Sequence, residues 1–473
     1  MAVRPLPLLT PRVVAVLAAG IAGFSGLLIA VRPALGAGFV IALIFVPIAF
    51  MDLRLALVLF TPILFIQYLP AVSVGPTFAM LVVLAAWLGA GRDRRLQGAT
   101  ALSGQLPLVA ALVGLVVWVT VSIGFSENYA RAVGDASNWY VSAILFAIFV
   151  TTLRTERDVR WVMAAFVFGA VLSISVGLAA TGLHPVSSAI ETSTFTEGRL
   201  KGGSSDPNYL AAGIVPAIVL AFALAGATRS ALARWSIGLA IAILVIGLAA
   251  TQSRGGFIAL LLAAGAALVI VRSHRLQILA AIAVLLGLIA LALATTPGAW
   301  ERVTKVDGGG NGRSDLWTVA WRVGQEHPLT GVGISDFATE ASRYVRRPGQ
   351  LTEASLIVDR PHVAHNTYLQ TLTELGILGL ALFATLMIAM LVLTLQASRI
   401  FAARGDPTLA SLASALFIAE LAWLVALFFI SAGSDRRLWV MLALGVVLRM
   451  LAARMPEPAP AAPPAPLRPA LAR

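Results

Sequence analysis

Long apolar runs separated by short polar segments occur along nearly the whole chain, and this pattern predicts membrane-spanning helices. An apolar run of about 20 residues can cross the hydrocarbon core of a bilayer as a helix. Two of the runs, 37–51 and 55–69, are short and are also compatible with a hairpin or re-entrant pair. Up to fourteen candidate runs lie at residues 13–31, 37–51, 55–69, 77–91, 106–124, 137–153, 161–181, 207–226, 235–251, 256–271, 276–295, 366–396, 409–431 and 437–452. The pattern predicts an all-α integral membrane protein, a polytopic helical bundle with 12–14 transmembrane helices and one long outer loop.

The polar segments divide the chain into four parts. Residues 1–295 are predicted to form an N-terminal transmembrane bundle, and residues 296–365 form the long outer loop with short helices. Residues 366–455 supply the C-terminal transmembrane helices. The Pro/Ala-rich tail, 456–473, is predicted to be disordered. The first apolar run follows a short basic segment, so we expect it to act as an uncleaved signal-anchor.

One amphipathic helix is predicted inside the long loop. Leu316, Trp317, Ala320 and Trp321 recur there at helical spacing, after a glycine-rich turn. Such a helix either lies on the membrane surface or packs against the rest of the loop, and the sequence leaves both alternatives open.

Basic residues are distributed unequally between the two sides of the predicted bundle. With the N-terminus inside, the inner segments carry 19 of the 34 Lys and Arg, the short outer loops 7 and the long loop 8. Long loops translocate largely regardless of charge, so the comparison of 19 with 7 predicts that both termini are cytoplasmic. Only 12% of the residues are charged, against about 25% in soluble proteins. The net charge of +12 is therefore explained by topology and requires no nucleic acid.

The segment 360–370, Arg-Pro-His-Val-Ala-His-Asn-Thr-Tyr-Leu-Gln, carries two of the five histidines at the start of a predicted span. Asn366 or Thr367 can cap this helix, and with Thr367 as the cap, Gln370 is in the capping-box position. Either cap leaves His365 just outside a helix N-terminus. Free N–H groups and the helix dipole there suit an anion and disfavour a protonated imidazole. A neutral His365 can then act as a base beside a bound phosphate.

Two other segments bring arginine to the same side. Arg199 precedes a helix start that Asp206 as N-cap and Pro207 at the first helical position predict. Arg254 interrupts two apolar runs with almost no loop, a costly position that marks a functional candidate. The planar guanidinium donates two parallel hydrogen bonds to phosphate oxygens. The alternative is that both arginines only reach lipid headgroups or pair with a carboxylate such as Asp206.

The remaining polar residues suggest no metal site. The chain has no cysteine, no Asp-x-Asp motif and no His/Asp/Glu group with metal-ligand spacing, so we expect no metal and no other cofactor. His362 is expected either to support the site or to lie at the surface, and His327 to belong to a turn. Glu374 and Glu420 lie within predicted spans, where they can pair with an arginine, orient the histidine or carry protons.

These segments resemble the O-antigen ligase and O-antigen polymerase superfamily of bacterial membrane proteins. The resemblance covers roughly residues 195–385, and the first 180 residues match only in hydropathy. The most specific stretch is His365-Asn-Thr-Tyr-Leu-Gln followed by Glu374-Leu-Gly-Ile-Leu-Gly. The other matching stretches are Arg199 to Ala211 (Arg-x8-Asn-x-Leu-Ala), Ser253-Arg254-Gly255, and Arg313 to Phe337, which includes His-Pro-Leu-Thr-Gly-Val-Gly.

The resemblance implies a metal-independent, inverting membrane glycosyltransferase of the bacterial inner membrane with its active site facing the periplasm. Such a ligase moves a glycan from undecaprenyl diphosphate to lipid A–core. The resemblance assigns diphosphate binding to Arg199 and Arg254 and catalysis to His365. It carries over Arg313 and Arg360 as further residues in supporting positions. Beside the resemblance, five more residues are expected to support the site, namely His362, Asn366, Asp206, Asn208 and Glu374.

Two alternative functions remain open on the sequence. Within the same superfamily, a polymerase of O-antigen, capsule or exopolysaccharide uses a second lipid-linked glycan as acceptor, and other ligases glycosylate pilin or other proteins. From another class, a secondary anion transporter is favoured by Glu374 and Glu420. Arginine and histidine gathered on the outer side disfavour it, because transporters bind substrate near the midplane.

Overall fold

The structure is a computed structural model that describes residues 20, 23–69, 75–90, 105–180, 195–196, 198–272, 275–295, 299–304, 312–345, 351 and 362–456. It confirms the all-α polytopic class. In this described part, eight helices are long and apolar enough to cross a membrane, and four shorter apolar helices accompany them. The total of 12–14 spans and the disordered tail stay predictions, since the first apolar run is described only in part and the tail almost not at all.

The helices follow the predicted order along the chain. The N-terminal part contains α1 (Pro33–Met51), α2 (Leu53–Ile63), α3 (Gly75–Gly89), α4 (Leu106–Ser122), α5 (Tyr129–Thr152), α6 (Glu156–Ala179), the strands β1 (Phe195–Thr196) and β2 (Arg199–Leu200), α7 (Pro207–Ala227), α8 (Ala231–Thr251), α9 (Arg254–Ile270) and α10 (Arg275–Thr295). The loop contains α11 (Ala299–Thr304), α12 (Arg313–Glu326) and α13 (Phe337–Tyr344), and the C-terminal part α14 (Thr367–Ala403), α15 (Pro407–Ala426) and α16 (Arg436–Arg454).

Side-chain caps fix where several helices begin. The predicted start of α7 is confirmed, because the Asp206 carboxylate accepts the amide of Asn208 and Pro207 occupies the first turn. Thr155 and Asp158 form a capping box at the start of α6. The two short predicted runs are consecutive helices, α1 and α2, which share Asp52 as C-cap and N-cap and pack against each other.

Four helices form the centre of the bundle. Within their most apolar windows, α7 and α15 are each 67% buried, whereas α8 is 22% and α10 18% buried. α14 and α16 pack against each other, and α15 packs on α7, α14 and α16. Trp423 of α15 and Trp439 of α16 are almost fully buried there. Close packing of this kind holds helices together in lipid, where apolar surface alone provides little driving force between them.

The long loop has a small apolar core of its own. Leu316, Ala320 and Val323 on one face of α12 are buried together with Phe337 of α13 and Ala364. The structure therefore answers the question that the sequence left open, because α12 packs against α13 and α14.

A break inside α14 receives the turn that follows α12. Gly376 has φ 65° and ψ −172°, so the helix is interrupted there. The amides of Val332 and Gly333 donate to the carbonyls of Thr373 and Glu374 at 2.9 and 3.0 Å. We call the contact between residues 328–333 and 373–377 the α14 junction. Its hydrogen bonds replace those that the helix loses at the break.

Close backbone approach explains the glycines at the α14 junction. Gly331 and Gly376 have φ of 70° and 65°, which side-chain-bearing residues rarely adopt. A Cβ on Gly331 would collide with the backbone of Glu374, and one on Gly376 with the carbonyl of Leu329. The Ile377 amide also donates to the carbonyl of Pro328 at 2.8 Å. The loop is thus joined to the membrane helix backbone to backbone.

Candidate functional site

Asn208 connects the first two candidate segments. The Arg199 guanidinium donates to the Asn208 side-chain oxygen at 3.0 Å and to the carbonyl of Thr251 at 2.9 Å. The Ser253 hydroxyl donates to the same Asn208 oxygen at 2.8 Å. The Asn208 amide nitrogen in turn donates to Asp206 at 2.8 Å. Strand β2 and the starts of α7 and α9 therefore meet at one side chain.

Arg254 is the first residue of α9, and a tight turn holds it there. Gln252 has φ 50°, and Ser253 caps the helix by accepting the amide of Gly256 at 3.2 Å. A Cβ on Gly255 would lie 2.7 Å from Cβ of Phe429, so only glycine permits this approach of α9 to the end of α15. In this Ser-Arg-Gly motif, the serine caps the helix, the arginine is a candidate for binding substrate, and the glycine permits the close contact.

Arg313 brings the long loop into the same site. It is the first residue of α12, and burial lowers its pKa most. The positive charge of Arg254 lowers the pKa of Arg313 further, while the carboxylate of Asp206 raises it. Arg313 is therefore close enough to Arg254 and to Asp206 for each to act on its charge.

His365 lies beside this cluster as a neutral imidazole. Its pKa is lowered to about 4, first by burial and then by the charge of Arg313, while Asp206 opposes the shift and His362 adds to it. The sequence predicted a neutral histidine because of the helix dipole, but burial and Arg313 are the main causes. His365 has φ 49°, a left-handed conformation that turns the chain into α14.

The start of α14 differs from the expected anion site. Asn366 is the cap and accepts the amides of Tyr368 and Leu369 at 3.0 and 3.1 Å, so Thr367 with Gln370 does not form a capping box. The amide of Thr367 donates to Leu427, and the amide of Gln370 donates to Asn366. The expectation of free N–H groups was therefore wrong for Thr367, Tyr368 and Leu369, because the Asn366 side chain and the neighbouring loop accept these three amides.

Thr367 anchors the histidine segment to the loop between α15 and α16. Its hydroxyl donates to the carbonyl of Ile430 at 2.7 Å and accepts the amide of Ala432 at 3.0 Å. With the amide of Thr367 on Leu427, three hydrogen bonds hold the chain two residues after His365. The imidazole thus belongs to a rigid part of the fold.

Three other residues, Glu374, His362 and Arg360, were expected to support the site. Glu374 accepts the Gln370 amide at 2.9 Å and hydrogen-bonds the backbone of Ser335, so its recorded partners belong to α14 and the loop rather than to an arginine or His365. His362 is half-buried and acts electrostatically on His365. Arg360 lies outside the described residues.

A buried ion pair beneath the cluster was missed by the sequence analysis. Arg437 at the start of α16 binds Asp435 at 2.6 Å, with both side chains almost fully buried. Its guanidinium also donates to the Ser204 hydroxyl and to the carbonyl of Tyr209, both at 3.2 Å. Arg437 thereby fixes the segment that leads into α7. In the sequence, Arg437 counted only as a loop charge for topology.

We call Arg199, Arg254, Arg313, His365 and Asp206 the arginine–histidine cluster. The set contains three cations and one carboxylate, so these described residues have a net positive charge and suit an anionic group. The neutral imidazole can accept a proton next to that group. The arrangement is chemically suited to hold a phosphate-bearing substrate and to deprotonate a hydroxyl.

A family model described as O-antigen ligase matches residues 239–384. This match over about a third of the chain supports a relationship to the O-antigen ligase and polymerase superfamily. The match includes Arg254, Arg313 and His365, whereas Arg199 precedes it. No protein in the curated set matches the chain. The match supports a membrane glycosyltransferase-like enzyme that acts on lipid-linked glycans, and a multi-pass bacterial membrane protein.

Proposed function

We propose that the protein is an O-antigen ligase that transfers a glycan from undecaprenyl diphosphate to lipid A–core, without a metal and with inversion. The observation that carries the proposal is the arginine–histidine cluster, in which Arg313 acts on the neutral imidazole of His365 and is itself within electrostatic reach of Arg254. In this proposal both termini are cytoplasmic and the cluster faces the periplasm. Residues 1–295 and 366–455 are then the two membrane parts, and 296–365 is the periplasmic loop.

Arg199 and Arg254 bind the donor diphosphate in this mechanism. Asn208 and the carbonyl of Thr251 hold the Arg199 guanidinium in place, and the cap at Ser253 holds the start of α9 that carries Arg254. Arg313 adds a third positive charge from the loop. Positioned charges of this kind favour a transition state in which negative charge develops on the leaving group.

His365 acts as the general base. The acceptor hydroxyl oxygen attacks the anomeric carbon of the donor glycan, and His365 takes the hydroxyl proton. As the new glycosidic bond forms, the bond from that carbon to the diphosphate oxygen breaks, and undecaprenyl diphosphate leaves with the electron pair. A single displacement inverts the configuration. The proton on His365 then passes to solvent.

The test is glycan transfer by purified protein. Wild type, His365→Ala and Arg254→Ala are each supplied with lipid-linked glycan and lipid A–core, and the product is followed on a gel. Removing a base or a charge-stabilising group typically costs about 100-fold or more in rate. Arg131→Ala is the matched control, because Arg131 is an exposed arginine in α5 outside the cluster. Well-folded cluster variants that transfer at the wild-type rate contradict the assigned roles.

A deletion strain separates the ligase from the polymerase of the same superfamily. Loss of long-chain lipopolysaccharide together with polymerised glycan on the lipid carrier identifies a ligase. Accumulation of single repeat units identifies a polymerase, with the same cluster serving a different acceptor. If neither glycan changes, both functions are excluded, and uptake of anions into proteoliposomes becomes the measurement of interest.

A further inference from the structure

A cleft of about 630 Å³ lies at the opposite end of α12 from the arginine–histidine cluster. Its walls include Phe125, Glu127, Glu326, Glu340 and Arg343, and we call it the loop cleft. The five cluster residues do not line it. α12 runs from Arg313 to Glu326, and a rise of 1.5 Å per residue puts about 20 Å between its ends. The loop cleft is therefore separate from the cluster and rigidly connected to it.

One wall of the loop cleft is a preorganised polar network. The Arg343 guanidinium donates hydrogen bonds of 3.1, 3.1 and 3.0 Å to the Glu127 carboxylate. It also donates one of 2.5 Å to the Glu340 carboxylate. The Glu340 side chain is only 10% exposed, whereas those of Glu127 and Arg343 are 51% and 58% exposed. Carboxylate acceptors and guanidinium donors at fixed positions are suited to recognising hydroxyl groups.

The lining of the loop cleft also includes an exposed aromatic ring. The Phe125 ring is 46% exposed, although its centroid lies 6.3 Å from that of Trp118. Trp118 is itself held by a 2.7 Å hydrogen bond from its indole nitrogen to the carbonyl of Leu375. An exposed but immobilised ring gives an apolar surface at low entropic cost. The C–H face of a pyranose ring fits such a surface, while its hydroxyls reach the polar wall.

The charged residues that line the loop cleft limit which sugars can bind there. Three carboxylates, Glu127, Glu326 and Glu340, line the loop cleft with the guanidinium of Arg343, so these charged residues have a negative excess. A phosphorylated or carboxylated sugar would be repelled there. An uncharged sugar or an amino sugar would not.

We propose that the loop cleft is a glycan-binding subsite, which holds an uncharged or amino sugar of a substrate chain away from the reacting end. This inference rests on the proposed function and adds a second point of substrate contact. Binding energy from a remote part of a substrate positions the reacting end. The glycan of the lipid-linked donor and the glycan of the acceptor share this chemistry, and the experiment distinguishes them.

Direct binding is the first test. Full-length protein in lipid nanodiscs is titrated, by saturation-transfer NMR, with neutral oligosaccharides released by mild acid from the lipid-linked glycan of the source cells. The second probe is core oligosaccharide released from their lipopolysaccharide. We expect Phe125→Ala and Glu326→Ala to weaken binding of one probe roughly five- to tenfold, the effect of removing a central contact. The probe that loses affinity identifies donor or acceptor as the source.

Matched controls lie on the same helix. Trp321 and Gln325 of α12 are exposed and do not line the loop cleft, so Trp321→Ala and Gln325→Ala should bind both probes as wild type does. If neither probe binds wild type, or if the cleft variants match the controls, the inference is overturned.

Transfer kinetics separate a failure of this inference from a failure of the proposed function. With donors of several repeats and of a single repeat, the cleft variants should lower the ratio of kcat/KM for long over short glycans. Active protein whose ratio is unchanged in Phe125→Ala and Glu326→Ala would exclude the subsite and leave the ligase intact. Protein that binds glycan at the cleft but transfers none would exclude the ligase and leave the subsite.

Discussion

Acidification should leave His365 deprotonated well below the pH at which an ordinary histidine gains a proton. Burial and Arg313 lower its pKa to about 4. At pH 5.5, about 3% of His365 is then protonated, against about 90% for a histidine with the ordinary pKa of about 6.5. Transfer that depends on a neutral imidazole should therefore retain nearly its full kcat/KM at that pH.

The assay is kcat/KM for purified protein with lipid-linked donor, measured between about pH 4 and pH 8, because kcat/KM reports the pKa of the free enzyme. The acid limb of kcat should lie at higher pH than that of kcat/KM, because bound diphosphate stabilises the protonated imidazole. An acid limb of kcat/KM near the ordinary histidine pKa would refute the argument from burial.

Two substitutions should move this limb in opposite directions. Arg313→Gln removes a positive neighbour that lowers the pKa of His365, so the limb should move to higher pH. Asp206→Asn removes the carboxylate that raises it, so the limb should move to lower pH. Asparagine caps helices as well as aspartate does, so α7 should keep its start. Shifts in the same direction would contradict the assigned neighbours.

The same pKa has a consequence for stability, which the assay must control. The folded-state pKa of His365 lies below the unfolded-state value, so the unfolded chain binds the additional proton between about pH 6.5 and pH 4. Stability is therefore lost as the pH falls through this window, by on the order of 3 kcal/mol at its lower end. Protein held at acid pH and then assayed at neutral pH distinguishes unfolding from protonation of the base.

Three further predictions concern the framework of the site. Asn208→Ala should lower transfer at least roughly tenfold while the protein still inserts, because Arg199 loses a partner that fixes it; rates in matched membrane preparations test this. Gly376→Ala should lower the free energy of unfolding by several kcal/mol, roughly the range of strained backbone and overpacking. The control is Gly238→Ala in α8, where the added Cβ has open space and should not lower the melting temperature. Arg437→Met should destabilise by about 3–5 kcal/mol because it leaves Asp435 buried alone, and adding Asp435→Asn should restore part of the loss, as thermal melts of the single and double variants would show.

Local chemistry explains what the sequence predicted well. Apolar runs gave the helices, and Asp206-Pro207 marked the start of α7, because caps and hydropathy depend on neighbouring residues. The sequence also predicted that Arg199 and Arg254 lie on one side of the membrane, because the predicted topology puts both of their segments on the outer side. Asn208, by contrast, appeared only as part of a motif, and its bonds to Arg199 and Ser253 required the fold.

Long-range contacts explain what the sequence did not reveal. Arg437 and Ser204 are more than two hundred positions apart, and no spacing rule connects them. Gly376 lies within a pattern that predicts a continuous helix, and only the turn at residues 328–333 explains its left-handed backbone. The N–H group of Thr367 appeared free because its partner, the carbonyl of Leu427, is distant in sequence.

The α14 junction determines how the loop can be exchanged between proteins. Pro328, Val332 and Gly333 exchange backbone hydrogen bonds with residues 373–377, so the loop has no clean boundary at the point where α14 begins. A chimera cut at His365 would combine one protein's turn with another protein's helix break. Grafts that carry residues 312–377 as one unit should insert and fold, because the turn and the helix break that it fits are then transferred together.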